Sequence, residues 1–132
     1  MKIYELIAPC HFGLEAVLKR EITDLGYEIS KVEDGKVTFL GDAEAICYAN
    51  IFLRTAERIL LKVGTVHAEK FDELFEGVRA LRWEEYIPEN GKFWVTKATS
   101  VKSKLFSTSD IQSIVKKAMV KRMEKAYGKS WF

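Results

Sequence analysis

The sequence predicts an α+β protein built from two small units. Three observations carry that prediction. Over the first 66 residues, short apolar runs and amphipathic helical patterns follow one another as strand, helix, strand, strand, helix, strand. An Asp34-Gly35 pair joins the two middle strands of that series. Past residue 66 the order changes to helix, strand, helix.

Residues 2–8 (KIYELIA) read as a buried strand, and Pro9, which has no N–H for a ladder, ends it. Leu14, Val17, Leu18, Ile22 and Leu25 then fall on one helical stripe between Gly13 and Gly26. Residues 27–33 and 36–40 flank Asp34-Gly35, a pair suited to a two-residue turn whose central positions need positive φ. Asp42, after Gly41, is placed to cap a second helix with Ala43, Ile46, Ala49, Asn50 and Leu53 inward. Residues 58–66 (RILLKVGTV) supply a fourth strand. That split βαβ order is the ferredoxin-like arrangement, an antiparallel sheet backed by two helices.

The second unit begins with a stripe of Phe71, Leu74, Phe75, Val78 and Leu81, with Asp72 and Glu73 near the helix start, where the macrodipole favours them. Trp83 and Tyr86 follow, then a turn at residues 88–91 (PENG). Residues 92–99 (KFWVTKAT) read as a strand, with Trp94 assigned to the core. A Ser/Lys loop over 100–108 leads to a final helix from 110 to about 127, which Gly128 closes. One strand cannot make a sheet. The expected organisation is therefore a ferredoxin-like domain at 1–66 and a second domain at 67–132 whose remaining strands lie beyond residue 132, the alternative being that the lone strand adds to a sheet edge elsewhere.

The 132 residues are 48% apolar and 30% charged, which excludes a disordered chain. No apolar run approaches the roughly 20 residues that span a bilayer. The first ten residues hold no apolar signal-peptide core, so a cytoplasmic location without a membrane partner is expected. Cys10 and Cys47 match no metal-ligand spacing. Cys10 and His11 are neighbours on an extended loop, where side chains point apart, so inert thiols are expected instead of a nucleophile and its base. His67 has no evident partner and is expected at the surface.

Charge is distributed unevenly. From Phe93 onward nine basic side chains face two acidic ones, a surplus of +7, whereas the preceding residues hold 12 basic and 17 acidic side chains, −5. The final helix has an apolar stripe of Ile111, Ile114, Val115, Ala118, Met119, Met123 and Ala126, the methionines being packing residues and not ligands. Ser109 and Gln112 fit a capping box. Lys117, Lys121 and Lys125 form an i+4 row, and Gln112 and Ser113 stand four residues before Lys116 and Lys117, where a helix built for solubility would carry Glu. Lys97, Lys102 and Lys104 converge on the helix start with several serines between them. Lys and Ser contact nucleic-acid backbones without reading sequence, and helix N-termini take phosphate. On chemistry alone, a phosphate-binding face and a plain solvated face weigh equally.

The run SVKSKLFSTSDIQSIVKKAMVKR resembles the signature segment of a THUMP domain, the RNA-binding module of tRNA- and rRNA-modifying enzymes. The blocks APCHFGLEAVLKREITDLGY, GDAEAICYANIFLRTAERILLKVG and FDELFEGVRALRWEEYIP resemble the start of one bacterial subgroup. That subgroup is the THUMP-containing methyltransferases similar to 23S rRNA guanine-N2 methyltransferases, which older naming treats as N6-adenine-specific DNA methylases. The resemblance covers nearly the whole chain. It implies a ferredoxin-like segment, a THUMP domain cut short here, and a Rossmann-like methyltransferase domain absent from this chain. S-adenosylmethionine is implied as the parent enzyme's cofactor, and structured RNA, notably rRNA, and the missing methyltransferase domain as partners. With prolines only at 9 and 88, the chain has no Asn-Pro-Pro-Tyr or Asp-Pro-Pro motif. It is expected to hold no catalytic, cofactor or metal site. By the resemblance, RNA-backbone contact falls to Lys97, Ser100, Lys102, Ser103, Lys104, Ser107, Lys116, Lys117 and Lys121. Phe106 is read as a packing plug, with base stacking as its other role. Two competing readings remain: a scaffold that packs on the catalytic domain, and part of a DNA adenine-N6 methyltransferase.

Overall fold

The structure, a computed structural model, describes residues 2–100, 103–105 and 107–128. Its backbone divides into two units, Met1–Val63 and Gly64–Phe132.

In the first unit the predicted order holds: β1 (Tyr4–Pro9), α1 (Glu15–Asp24), β2 (Glu28–Glu33), β3 (Lys36–Gly41), α2 (Ala43–Phe52) and β4 (Leu60–Leu61). The strands lie in the order β2-β3-β1-β4 with every neighbouring pair antiparallel. Strand alternation sends Leu6 and Ala8 of β1, and Val37 and Phe39 of β3, to one side. There they meet Leu18 and Ile22 of α1 and Ala45 and Ala49 of α2, which closes the core. Gly35 takes φ +80° in the hairpin turn, as the Asp-Gly pair predicts. Its carbonyl accepts from Cys10 N–H at 2.8 Å, and its N–H donates to the Glu15 carboxylate at 2.8 Å. The other Glu15 oxygen accepts from Gly13 N–H at 2.8 Å, so one side chain ties the helix start to the hairpin. Asp42 caps α2 as expected, accepting from Ala45 N–H at 2.9 Å.

Three details differ from the sequence reading. Val17 is 49% exposed, on the solvent side of α1. In α2 the inward row is Ala45, Ala49 and Leu53 with Ile46 beside it, while Ala43 and Asn50 are exposed. Residue 43 lies about 200° around the helix from 45, which turns it to water. The fourth strand is two residues long instead of nine, pairing Leu61 with Leu6 and Leu60 with Ile7. Glu57 N–H also bonds Pro9 O at 2.8 Å, and Lys62 N–H bonds Glu5 O at 2.9 Å. The Glu57 bond is one residue out of register with the other pairs, and Pro9 has no N–H to return. Regular pairing therefore survives only at the centre.

The second unit contains α3 (Phe71–Arg79), a 3₁₀ turn (Trp83–Glu85) and α4 (Thr108–Tyr127). Val78, Ala118 and Met119 are buried among Leu74, Phe75, Trp83, Phe93, Val95 and Val115. Met123 is also fully buried, so both methionines pack as predicted, whereas Ala126 is exposed and leaves the stripe. Gly91 N–H bonds Pro88 O at 2.9 Å in the expected turn. Gly128 closes α4 in the left-handed conformation, φ +65°.

Residues 92–99 form no strand, because no neighbouring strand among the described residues offers them a ladder. Burial still alternates: Phe93 and Val95 face the core, and Trp94 is 74% exposed. Trp94 is thus not a core residue. The period of two that places its neighbours inside turns it out. The capping box is also absent. The helix begins earlier, with Ser107 at the N-cap and no side-chain cap bond, and the Gln112 amide donates to Val95 O at 3.3 Å.

Candidate nucleic-acid interface

The lysines of the candidate face come from the extended segment 92–99, the loop before α4, and α4 itself. On α4, Lys117, Lys121 and Lys125 are exposed and repeat every four residues, which spaces them about 6 Å apart along one face. Lys121 lies 3.6 Å from the Glu124 carboxylate. Lys97, Lys117 and Lys125 have no carboxylate partner among the described residues. Lys116 points the other way: its ammonium donates to the Phe93 carbonyl and sits 3.8 Å from that ring's centroid. It clamps the extended segment to α4.

In the loop, the Ser100 hydroxyl donates to Leu105 O at 2.8 Å, and the Ser103 hydroxyl accepts from Leu105 N–H at 3.1 Å. These bonds fold the loop over the buried Leu105 side chain. Lys104 reaches Glu69 at 3.4 Å with both side chains more than half exposed. Such a pair is worth little in water, so an incoming phosphate displaces it readily. Ser107 lies 3.5 Å from Ser109, hydroxyl to hydroxyl. Lys102 and Phe106 lie outside the described residues. The structure thus brings Ser100, Ser103, Lys104 and Ser107 to one loop and sets Lys117 and Lys121 on the exposed side of the helix that follows.

Arg122 is spoken for. It makes a two-pronged bond to Glu84, Nε to Oε2 at 3.0 Å and a terminal amine to Oε1 at 2.8 Å. The arginine's bond holds the Glu84 carboxyl below the usual glutamate range, although burial opposes the shift. Nothing local in the sequence announces a pair separated by 38 residues. Arg79, Lys121 and Lys125 line a groove between α3 and α4 with Glu76, and Glu76 neutralises Arg79.

Elsewhere the chemistry is quiet. Burial raises the Cys10 thiol above its ordinary pKa, and the carboxylates of Glu15 and Glu57 add to the effect. His11 is exposed and faces Glu57 at 3.5 Å, so the two neighbours form no nucleophile–base couple. Cys47 and His67 are exposed. Among the described residues no three metal-ligating side chains converge, and no helix is long and apolar enough to cross a membrane. Nor do these residues fit S-adenosylmethionine. Both strand-to-helix passages are closed by their own carboxylates, Glu15 on Gly13 N–H and Asp42 on Ala45 N–H, where the cofactor's anionic end would need donors.

Residues 5–60 match the RlmL ferredoxin-like domain, and residues 68–131 match the THUMP domain. The chain belongs to these two families. Over 130 residues it is 54% identical to the "Putative RNA methyltransferase YpsC" of Bacillus subtilis strain 168, a match covering 98% of this chain and 33% of the relative. A "Ribosomal RNA large subunit methyltransferase K/L" of Marinomonas sp. strain MWYL1 is 29% identical over 86 residues, covering 65% of this chain and 12% of the relative. The crystal structure of "SMU.472, a putative methyltransferase complexed with SAH" superposes with a TM-score of 0.92 at 44% identity, over 98% of this chain and 34% of that one. The chain spans about a third of the length of YpsC and of SMU.472. The ferredoxin-like order and the THUMP segment expected from the sequence are both present.

Proposed function

We propose that this chain is the RNA-binding, substrate-positioning region of an S-adenosylmethionine-dependent RNA methyltransferase, acting in the cytoplasm on guanine N2 of 23S rRNA. The observation that carries the proposal is the unneutralised cation set of the THUMP domain: Lys97 and Lys117 without carboxylate partners among the described residues, together with a loop carrying Lys104 and three serines. The rRNA methyltransferase among the relatives and the bound SAH in the SMU.472 structure support the substrate and cofactor assigned to the parent enzyme. The chemistry itself is assigned to a separate methyltransferase domain. Contact with the RNA backbone is assigned to the nine residues given above, with Lys116 contributing mainly by holding Phe93 in place.

The test is binding of a structured rRNA fragment to the chain across a salt series. Each phosphate contact contributes about 0.7–0.9 to the slope of log K against log salt. Lys97→Glu with Lys117→Glu is expected to weaken binding at least roughly ten-fold near 0.1 M salt and to flatten the slope by about 1.4–1.8. An unchanged affinity and slope would move RNA binding to another surface and leave this region a scaffold. Equal affinity for a DNA duplex of the same sequence would favour the DNA methylase reading, since A-form shape and the 2′-hydroxyl mark RNA.

A further inference from the structure

The cation set explains attraction to phosphate, but it leaves Trp94 without a purpose. Its ring is the most exposed large apolar side chain among the described residues of the second unit. A single exposed apolar residue is ordinary; the manner in which this one is held is not. Phe93 and Val95, on either side, are packed into the core. The carbonyl of Phe93 accepts from the Lys116 ammonium and that of Val95 from the Gln112 amide, both from α4. The backbone is therefore fixed immediately before and after residue 94, and the indole is presented outward from a rigid base. Its sequence neighbours are cationic. Between Glu89 and Asp110 the sequence holds four lysines and no carboxylate. Lys92 and Lys97, two and three residues away, are exposed and have no carboxylate partner among the described residues.

We propose that Trp94 is a stacking platform for an unpaired nucleobase of the bound RNA, with Lys92 and Lys97 holding the flanking phosphates. The proposal rests on the RNA-binding reading above and deepens it by naming a single-stranded element in the substrate. A flat π-face amid unpaired cations matches what an unstacked base on a charged backbone offers, and such stacking tolerates any base. A base inside a duplex has no free face, so the site discriminates loops and ends from continuous helix. Preorganisation of the backbone by α4 removes most of the ordering cost of the contact.

The test uses the whole 132-residue chain, a hairpin RNA with a single-stranded loop, and a fully paired RNA duplex of the same length. Trp94→Ala is expected to weaken hairpin binding roughly ten-fold, in line with alanine substitution at other stacking platforms, and to leave duplex binding unchanged. The salt slope for the hairpin should stay as in the wild type, because no phosphate contact is lost. Trp94→Tyr should keep most of the affinity. Hairpin RNA should quench the wild-type indole emission and leave that of the alanine variant, from Trp83 and Trp131, unaltered. An unchanged thermal midpoint in both variants establishes that the fold is intact. Equal hairpin affinity in wild type and alanine variant overturns the stacking role alone. So does a tyrosine variant as weak as the alanine one. If that equal affinity comes with wild-type self-association that Trp94→Ala abolishes, the face belongs to a protein contact and the proposal fails. A wild-type chain that binds neither RNA at low salt overturns the RNA-binding reading, and this inference with it.

Discussion

Gly77 lies inside α3, where glycine ordinarily costs about 0.5–1 kcal/mol relative to alanine. A Cβ placed there would overlap Val66 Cγ1 and lie 3.2 Å from both its Cβ and Cγ2. Valine is stiff at χ1, so the methyl cannot simply swing aside. Overpacking of this kind costs roughly 1–3 kcal/mol and outweighs the gain in helix propensity. Gly77→Ala is therefore expected to destabilise the chain by about 1–2 kcal/mol in denaturant unfolding. In a Val66→Ala background the same change should cost clearly less, because the Cγ1 and Cγ2 obstacles are gone and only the residue's Cβ, at 3.2 Å, remains. A loss of the same size in both backgrounds would sink the steric explanation. The sequence alone shows a glycine at a helical position. Its reason is a valine eleven residues earlier, which the sequence reading puts at the end of the first unit's fourth strand and the structure places in the second unit.

Among the elements, α4 shows best what local pattern reveals and where it stops. Its apolar stripe, its end at Gly128 and the burial of Met119 and Met123 follow from spacing within the helix. Its tethers do not, since Arg122 finds Glu84, and the Tyr127 hydroxyl shares its one proton between the carbonyls of Glu84 and Ile87, across about 40 residues of chain. Trp94 departs from the sequence expectation for a related reason: a strand reading assumes a neighbour on each side, and period two gives alternation without saying which face is covered. The Glu84 tether has a consequence for acid stability. Arg122 holds the folded-state pKa of Glu84 below the ordinary 4.5. The folded state thus binds that proton less readily than the unfolded state. The pair's contribution is complete above about pH 4.5 and is lost as pH falls through the lowered value. Glu15 shifts the same way through the Gly35 N–H bond. At Glu21 burial raises the pKa, but bonds from Thr55 and the Arg54 N–H outweigh it. The urea midpoint is expected to fall as pH drops below 4.5, and Glu84→Gln should make that decline shallower. An equally steep decline in the variant would show that Arg122 gives Glu84 no preference for the charged form.

For the whole molecule, charge sets stability against binding. Gly64–Phe132 carries 13 basic and nine acidic side chains, a net +4, and Met1–Val63 carries eight and ten, a net −2. Within the second unit the cations Arg79, Arg82 and Arg122 anchor to carboxylates of α3 and the turn after it, and Lys104 and Lys121 pair with Glu69 and Glu124. The unpaired ones, Lys97, Lys117 and Lys125, have been left without such partners. Like charges at i and i+4 cost a helix about 0.2–0.5 kcal/mol per pair, so the row of Lys117, Lys121 and Lys125 opposes the fold that displays it. Lys117→Glu replaces one repulsion with a Glu–Lys pair in the favourable orientation. It is expected to raise stability by about 0.5–1 kcal/mol and, at low salt, the thermal midpoint by roughly 2–4 °C. The same substitution should weaken RNA binding several-fold if the proposed phosphate contact holds, since it removes that contact and adds a charge of the wrong sign. Raising salt toward 1 M should erase both effects together, because both are carried by exposed charges. A stability gain with RNA affinity intact would mean that the row is a solvated face and nothing more. Opposite signs would mean that the chain keeps these lysines against its own stability, which only a bound anion explains.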